Sequence, residues 1–146
     1  MNTHPVHQRN TLQATERLKL RKQIEMLFRN GEAFSVYPLL VKFHVVAKAN
    51  LQEGQSVSPV RSGFSIPKKK VRRAHDRNRN RRLLKEAWRC QKHELYAAIP
   101  EKWQLHCFLI FKGSEMLTFE QAKETVTAIQ KKLIQKVTAL QQSEKS

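Results

Sequence analysis

Hydrophobic positions recur along the chain with two different periods, and the changes of period mark out its elements. From about Leu18 to Arg29 the apolar residues Leu20, Ile24, Leu27 and Phe28 fall at i, i+4, i+7 and i+8, the spacing of one helical face, and Asn30-Gly31 supplies a stop. Between Leu39 and Ala47 the period drops to two. Val41, Phe43 and Val45 share one face and Lys42 and His44 the other, which predicts a strand. Residues 50–59, with Gly54, Ser56, Ser58 and Pro59, read as a hairpin-type connection, and Val60 to Ile66 as a second strand that a hairpin would set antiparallel to the first.

A helix follows, with Asp76 as its expected N-cap, extending to about Leu95 before Pro100 forbids continuation. On a helical wheel Leu83, Leu84, Ala87, Trp88 and Leu95 occupy one side, and Asn78, Arg79, Arg82, Lys85 and Arg89 the other. Leu105 to Phe111 is almost continuously apolar, as suits the buried middle of a sheet. Thr118 and Gln121 have the spacing of a capping box, after which Ala122, Val126, Ile129, Leu133, Val137 and Leu140 recur at three and four, predicting a last helix. Residues 1–15 read as a flexible polar lead-in and 141–146 as a frayed end, leaving a single domain over 16–140.

Composition narrows the function. At 146 residues, with 40% hydrophobic residues and 4 glycines, the chain is suited to one globular core. No apolar run approaches the ~20 residues that cross a bilayer, and Met1 to Asn10 lack the apolar stretch of a signal peptide. Two cysteines, Cys90 and Cys107, are too few for a disulfide scaffold, so the expected location is the reducing cytoplasm. The 28 Lys+Arg against 12 Asp+Glu leave a charge of +16, which calls for a polyanionic partner. Half of that net charge lies in residues 68–82, where Lys68, Lys69, Lys70, Arg72, Arg73, Arg77, Arg79, Arg81 and Arg82 face Asp76 alone. Arginine predominates among them, and its planar fork suits bidentate phosphate contacts.

A self-sufficient active site is not evident. Cys90-x-x-His93 and His106-Cys107 offer zinc-ligand types without a zinc-site arrangement, nothing singles out either thiol as a nucleophile, no phosphate-cradling glycine loop is present, and no acidic cluster is fit to hold magnesium. Phe28, Phe34, Phe43, Phe64, Phe108 and Phe111 read mostly as packing. Phe28 and Phe43 are the two placed to line a groove between the first helix and a strand face, where bases could stack.

The stretch Arg61-Ser-Gly-Phe-Ser-Ile-Pro-Lys-Lys-Lys-Val-Arg-Arg-Ala-His-Asp-Arg-Asn-Arg-Asn-Arg-Arg-Leu-Leu-Lys-Glu-Ala-Trp-Arg89 closely resembles the signature of the bacterial ribonuclease P protein family. Arg17-Leu18, Ile24-x-x-Leu27-Phe28-x-x-Gly31 and Leu117-Thr-Phe resemble its flanking helices, so that the similarity spans about residues 16–138. The resemblance implies a two-layer α/β (α+β) sandwich of order α-β-β-β-α-β-α, like the second domain of a small-subunit ribosomal protein, with the Arg-Asn-Arg helix in a left-handed crossover between parallel strands. It implies a monomeric protein, one per RNA, that binds a catalytic RNA and the 5′ leader of precursor tRNA. The Mg²⁺ used in cleavage would belong to the RNA, with none held tightly by the protein. Lys68, Lys69, Arg72, Arg73, Arg77, Asn78, Arg79, Arg81, Arg82, Lys85 and Arg89 would face RNA, and Ile24, Phe28 and Phe43 would line the leader cleft.

Three residues depart from the pattern: Ile24 where the family usually has Phe, Arg21 at a usual capping position, and Asn80 at a commonly apolar place. A structural RNA-binding protein of the ribosome shares the size and charge but not the contiguous signature. A helix-turn-helix DNA binder needs a helix pair, whereas strands and Pro67 precede the basic helix here, and a membrane-surface helix would waste Leu83, Leu84 and Trp88, which suit a core.

Overall fold

Alternation along the strands divides the sheet into an apolar face and a mixed face, and the helices are distributed accordingly. The structure, a computed structural model, describes residues 14–51 and 58–145. Its elements are α1 (Arg21–Asn30), β1 (Glu32–Val36), β2 (Leu39–Ala47), β3 (Val60–Ser65), α2 (Ala74–Ala98), β4 (Trp103–Phe111) and α3 (Phe119–Lys145), with 3-10 turns at Ala14–Glu16 and Lys48–Asn50. This is the α-β-β-β-α-β-α order implied by the resemblance. The sheet runs β1-β2-β4-β3. β1 and β4 both pair antiparallel to β2, whereas β3 pairs parallel to β4 through the α2 connection. β2 and β3 therefore do not form the expected hairpin, because β4 lies between them.

Leu39, Val41 and Phe43 of β2 stand in register with Phe111, Leu109 and Cys107 of β4, and all six are buried in the core with Leu84, Trp88 and Leu95 of α2 and Ile129, Leu133 and Val137 of α3. The other face carries Lys42, His44, His106 and Phe108 and receives α1. α1 buries Leu27 and begins at Arg21 without a side-chain cap, and Arg21 instead pairs with the exposed Glu25 one turn on.

Helix boundaries shift from their expected places for local reasons. α2 starts at Ala74 with Arg73 as N-cap, which puts Asp76 in the first turn, where its charge complements the helix dipole. It continues to Ala98, just short of Pro100. The capping box at Thr118 forms in both directions, Thr118 N–H to Gln121 Oε1 at 3.0 Å and Gln121 N–H to Thr118 Oγ1 at 3.1 Å. α3 then remains helical through 141–145, part of the stretch expected to fray, where an ion pair joins Lys102 to Glu144.

The polar lead-in also has a structured end. Residues 1–13 lie outside the described residues, but the Ala14–Glu16 turn places Glu16 at 5% exposure, where it accepts from Lys92 Nζ at 2.8 Å and from Tyr96 Oη at 2.7 Å. Lys92 itself is 3% exposed. Next to this pair, Leu18 N–H donates to Ser62 O at 2.9 Å and Arg17 bridges Ser62 in parallel, so the segment continues the sheet beyond β3. Removing one member of a buried pair leaves the other charge without its counterion. Glu16→Ala is expected to lower the unfolding free energy by about 3–5 kcal/mol, and Glu16→Leu combined with Lys92→Met to recover most of that loss. Urea denaturation checks both, and an unchanged midpoint for Glu16→Ala would show that the pair contributes nothing.

Candidate RNA interface

Cations crowd the turn after β3 because Pro67 forces one. The Lys70 and Val71 amides return to Pro67 O at 3.1 and 3.2 Å, and burial of Val71 pins the turn while Lys68, Lys69 and Lys70 stay exposed. Arg72 and Arg73 are exposed as well, and α2 begins immediately after them with no side chain capping its amides, so the positive end of the helix dipole adds to the basic turn.

The arginines of α2 are differently employed. Arg77 Nη1 donates to Val71 O at 3.0 Å and Arg72 O at 2.6 Å, tying the turn to the helix. Arg79 Nη1 donates to Leu117 O at 3.1 Å, and Arg81 Nη1 to Asn78 Oδ1 at 2.8 Å. Arg82 is exposed, and no hydrogen bond or ion pair holds it among the described residues. Arg89 pairs with Glu86. Lys85 is half-buried, and its pKa is lowered first by burial and then by the charges of Arg17 and Arg81. Arg17 thus belongs to the cationic surface, although it lies about 70 positions from Lys85 and no periodic signal connects them.

Asn80 is fully buried on the core side of this helix. Its Oδ1 accepts from Leu117 N–H at 3.1 Å, so that Asn80 and Arg79 together hold the N–H and the C=O of Leu117. The polar residue at a commonly apolar place is explained by its bond to the Leu117 amide.

The groove expected on the α1 side exists with different walls. Phe28, 41% exposed, meets Phe108 edge-on at 5.5 Å, and Lys42 Nζ lies 5.4 Å over its ring. Gly63 makes room for Phe108, since a Cβ there would fall 2.3 Å from the ring. Beyond these rings a cavity of about 650 Å³ opens between the start of α1 and the sheet, lined in part by Leu20, Met26, His44, Val46 and His106. Ile24 is half-buried on α1, one turn before Phe28.

Phe43 does not line this groove. It is 2% exposed on the opposite face and packs against Phe34, over which Lys132 of α3 is placed, because its register partner is Cys107 while Lys42 is paired with Phe108. Phe108 and Lys42 are the groove residues that sequence reasoning missed, since the unbroken apolar run of β4 conceals which of its side chains face which way.

Two histidines face each other across β2 and β4 in this groove, His44 opposite His106. His106 is 2% exposed, and its Nε2 lies 2.6 Å from Gln104 Oε1, whose amide nitrogen donates to Ser58 O at 2.7 Å. An amide oxygen can only accept, so Nε2 of His106 carries the proton. Burial pushes the His106 pKa down to about 4, with the His44 and Arg61 charges contributing. Cys107 is buried and burial raises its thiol well above the thiolate range, as befits a core cysteine. Among the described residues no three His, Cys, Asp or Glu side chains gather as metal ligands, and no helix is long and apolar enough to cross a membrane.

Three comparisons with known proteins bear on this arrangement. The family profile described as Ribonuclease P matches residues 12–134. The ribonuclease P protein component of Porphyromonas gingivalis is 34% identical over 125 residues, covering 84% of each chain. Among solved structures, the RNase P protein of Staphylococcus aureus superposes with a TM-score of 0.61 at 18% identity, over 84% of this chain and 96% of that one. The RNase P protein of Thermotoga maritima gives a TM-score of 0.55 at 23% identity, over 80% and 96%.

The depressed His106 pKa fixes a pH dependence. The unfolded chain binds this proton near pH 6.5 and the folded chain only near pH 4, so the contribution of neutral His106 is complete above about 6.5 and is lost as pH falls toward about 4. Stability should fall over that window by up to about 3 kcal/mol. His106→Gln should flatten it, as measured by urea midpoints at a series of pH values, and an equally steep decline in that variant would assign the effect to other groups.

Proposed function

Because the chain belongs to the ribonuclease P protein family, we propose that it is the protein subunit of a bacterial ribonuclease P, binding the catalytic RNA through the cationic face of α2 and the turn before it. The groove between α1 and the sheet takes the 5′ leader of precursor tRNA. The observation that carries this reading is the state of three α2 cations: Arg77 and Arg79 are anchored on main-chain carbonyls and Arg82 is unengaged, so these three present positive charge that no carboxylate pairs with among the described residues. The exposed Phe28 ring with Lys42 above it supplies the stacking surface and charge that single-stranded RNA requires.

The chemistry is assigned to the RNA. Carboxylates along α2 are Asp76, Glu86 and Glu94, separated by about 12–15 Å of helix axis, too far apart to share a magnesium ion. The protein works as a monomer, one per RNA, in the cytoplasm. The test is to combine it with a bacterial ribonuclease P RNA and labelled precursor tRNA at low magnesium. The chain should stimulate 5′ cleavage and cleave nothing when freed of RNA. No stimulation, or cleavage by RNA-free protein, would reject the assignment.

Arg82→Ala should weaken RNA binding by about 1–3 kcal/mol and leave the melting temperature unchanged. Arg79→Ala should weaken binding similarly but also cost about 1 kcal/mol of stability, because the Leu117 carbonyl loses its donor. Equal melting temperatures for the two variants would contradict the anchoring role. Phe28→Leu should cost about 1–3 kcal/mol in holoenzyme binding of precursor tRNA and nothing in binding of mature tRNA. Equal weakening of both substrates would return the ring to packing alone.

A further inference from the structure

On the far side of the sheet from the leader groove, Arg79, Arg82, Leu83 and Glu86 form one stripe of α2 and, together with Phe119, the first residue of α3, line an open cavity of about 390 Å³. Phe119 is 40% exposed. Neither the helix start nor the core accounts for a ring there. Thr118 and Gln121 complete the cap, and the buried Leu117 and Ala122 occupy the two positions at which an apolar staple forms. Phe119 instead lines the same cavity as Arg79, whose guanidinium is ordered by Leu117 O, and Arg82, which has no partner among the described residues.

A cavity lined by an aromatic ring, guanidinium groups and the Glu86 carboxylate, which also pairs with Arg89, matches what an unpaired nucleobase presents: a π-face to stack, a flanking phosphate and an exocyclic amino group. We propose that this cavity receives one unpaired base of the RNA that α2 binds, stacked on Phe119 with Arg82 on its phosphate. The inference rests on the reading of α2 as an RNA-binding helix and adds a base-stacking contact to one so far described only through charge.

The test measures binding of full-length wild-type, Phe119→Leu and Phe119→Trp proteins to the catalytic RNA alone and to precursor tRNA alone, at several salt concentrations. Leucine keeps the bulk but not the π-face. Phe119→Leu should weaken binding of whichever RNA supplies the base by about 5- to 150-fold, with an unchanged salt slope because no charge is removed. Phe119→Trp should restore affinity, and melting temperatures should match throughout because the ring is exposed. Leucine binding both RNAs as well as phenylalanine, or a loss that tracks a lower melting temperature and is not restored by tryptophan, overturns the proposal while leaving the parent reading intact. Wild-type protein that binds neither RNA overturns both.

Discussion

The guanidinium groups of Arg77 and Arg79 donate to the carbonyls of Val71, Arg72 and Leu117, and Arg61 donates in the same way to Arg17, so that main-chain oxygens hold together the parts of the molecule that charge would drive apart. A carbonyl fixes a guanidinium without cancelling it, whereas a carboxylate does both. With 12 acidic residues against 28 basic ones, neutralisation is not available in general. The same bonds also determine loop shape: the turn after β3 and the start of α3 are both tied to α2 through arginine, so the elements that surround the cationic helix are placed by the cations themselves.

At Glu16 and Lys92 the interior uses a carboxylate instead. Glu16 and Lys92 are buried together and matched, with the Tyr96 hydroxyl as a second donor to the carboxylate, because an unmatched charge in a low dielectric would cost more than the local packing returns. Burial and this hydrogen bond push the Tyr96 hydroxyl pKa far above its usual value, so it remains a donor. The pair also fastens the segment that lies alongside β3, which would otherwise be the open edge of the sheet.

Much of this was legible in the sequence. Periods of 3.6 and 2 located α1, β2, β3, α2, β4 and α3, and the capping box placed the start of α3 correctly. What periodicity missed is non-local. β1 is five residues with a single large apolar side chain, Phe34, too short to announce itself, and it entered only through the family resemblance. Glu16 sits in a polar stretch, and its burial depends on a lysine 76 positions away. Phe43 was expected in the groove and Phe108 read as packing because the alternation in β2 shows which residues share a face but not which face α1 covers. The helical wheel of α2 separated core from cations, yet it does not reveal that Arg79 and Asn80, adjacent in sequence and different in exposure, bond the C=O and the N–H of the same residue, Leu117.

The anchoring of the amino-terminal turn has a practical corollary for anyone attaching a reporter. The described chain starts at Ala14, two residues before the carboxylate that α2 holds and three before an arginine that shares the field of Lys85. A dye attached at Ala14 is therefore held beside the charged helix. The other end of the described chain lies near Lys102, at the start of β4 and so at the opposite end of the parallel β3/β4 pair from Lys68–Lys70. The last turn of α3 around Glu144 is therefore a better site than Ala14 for a reporter meant to watch the cationic surface without occupying it.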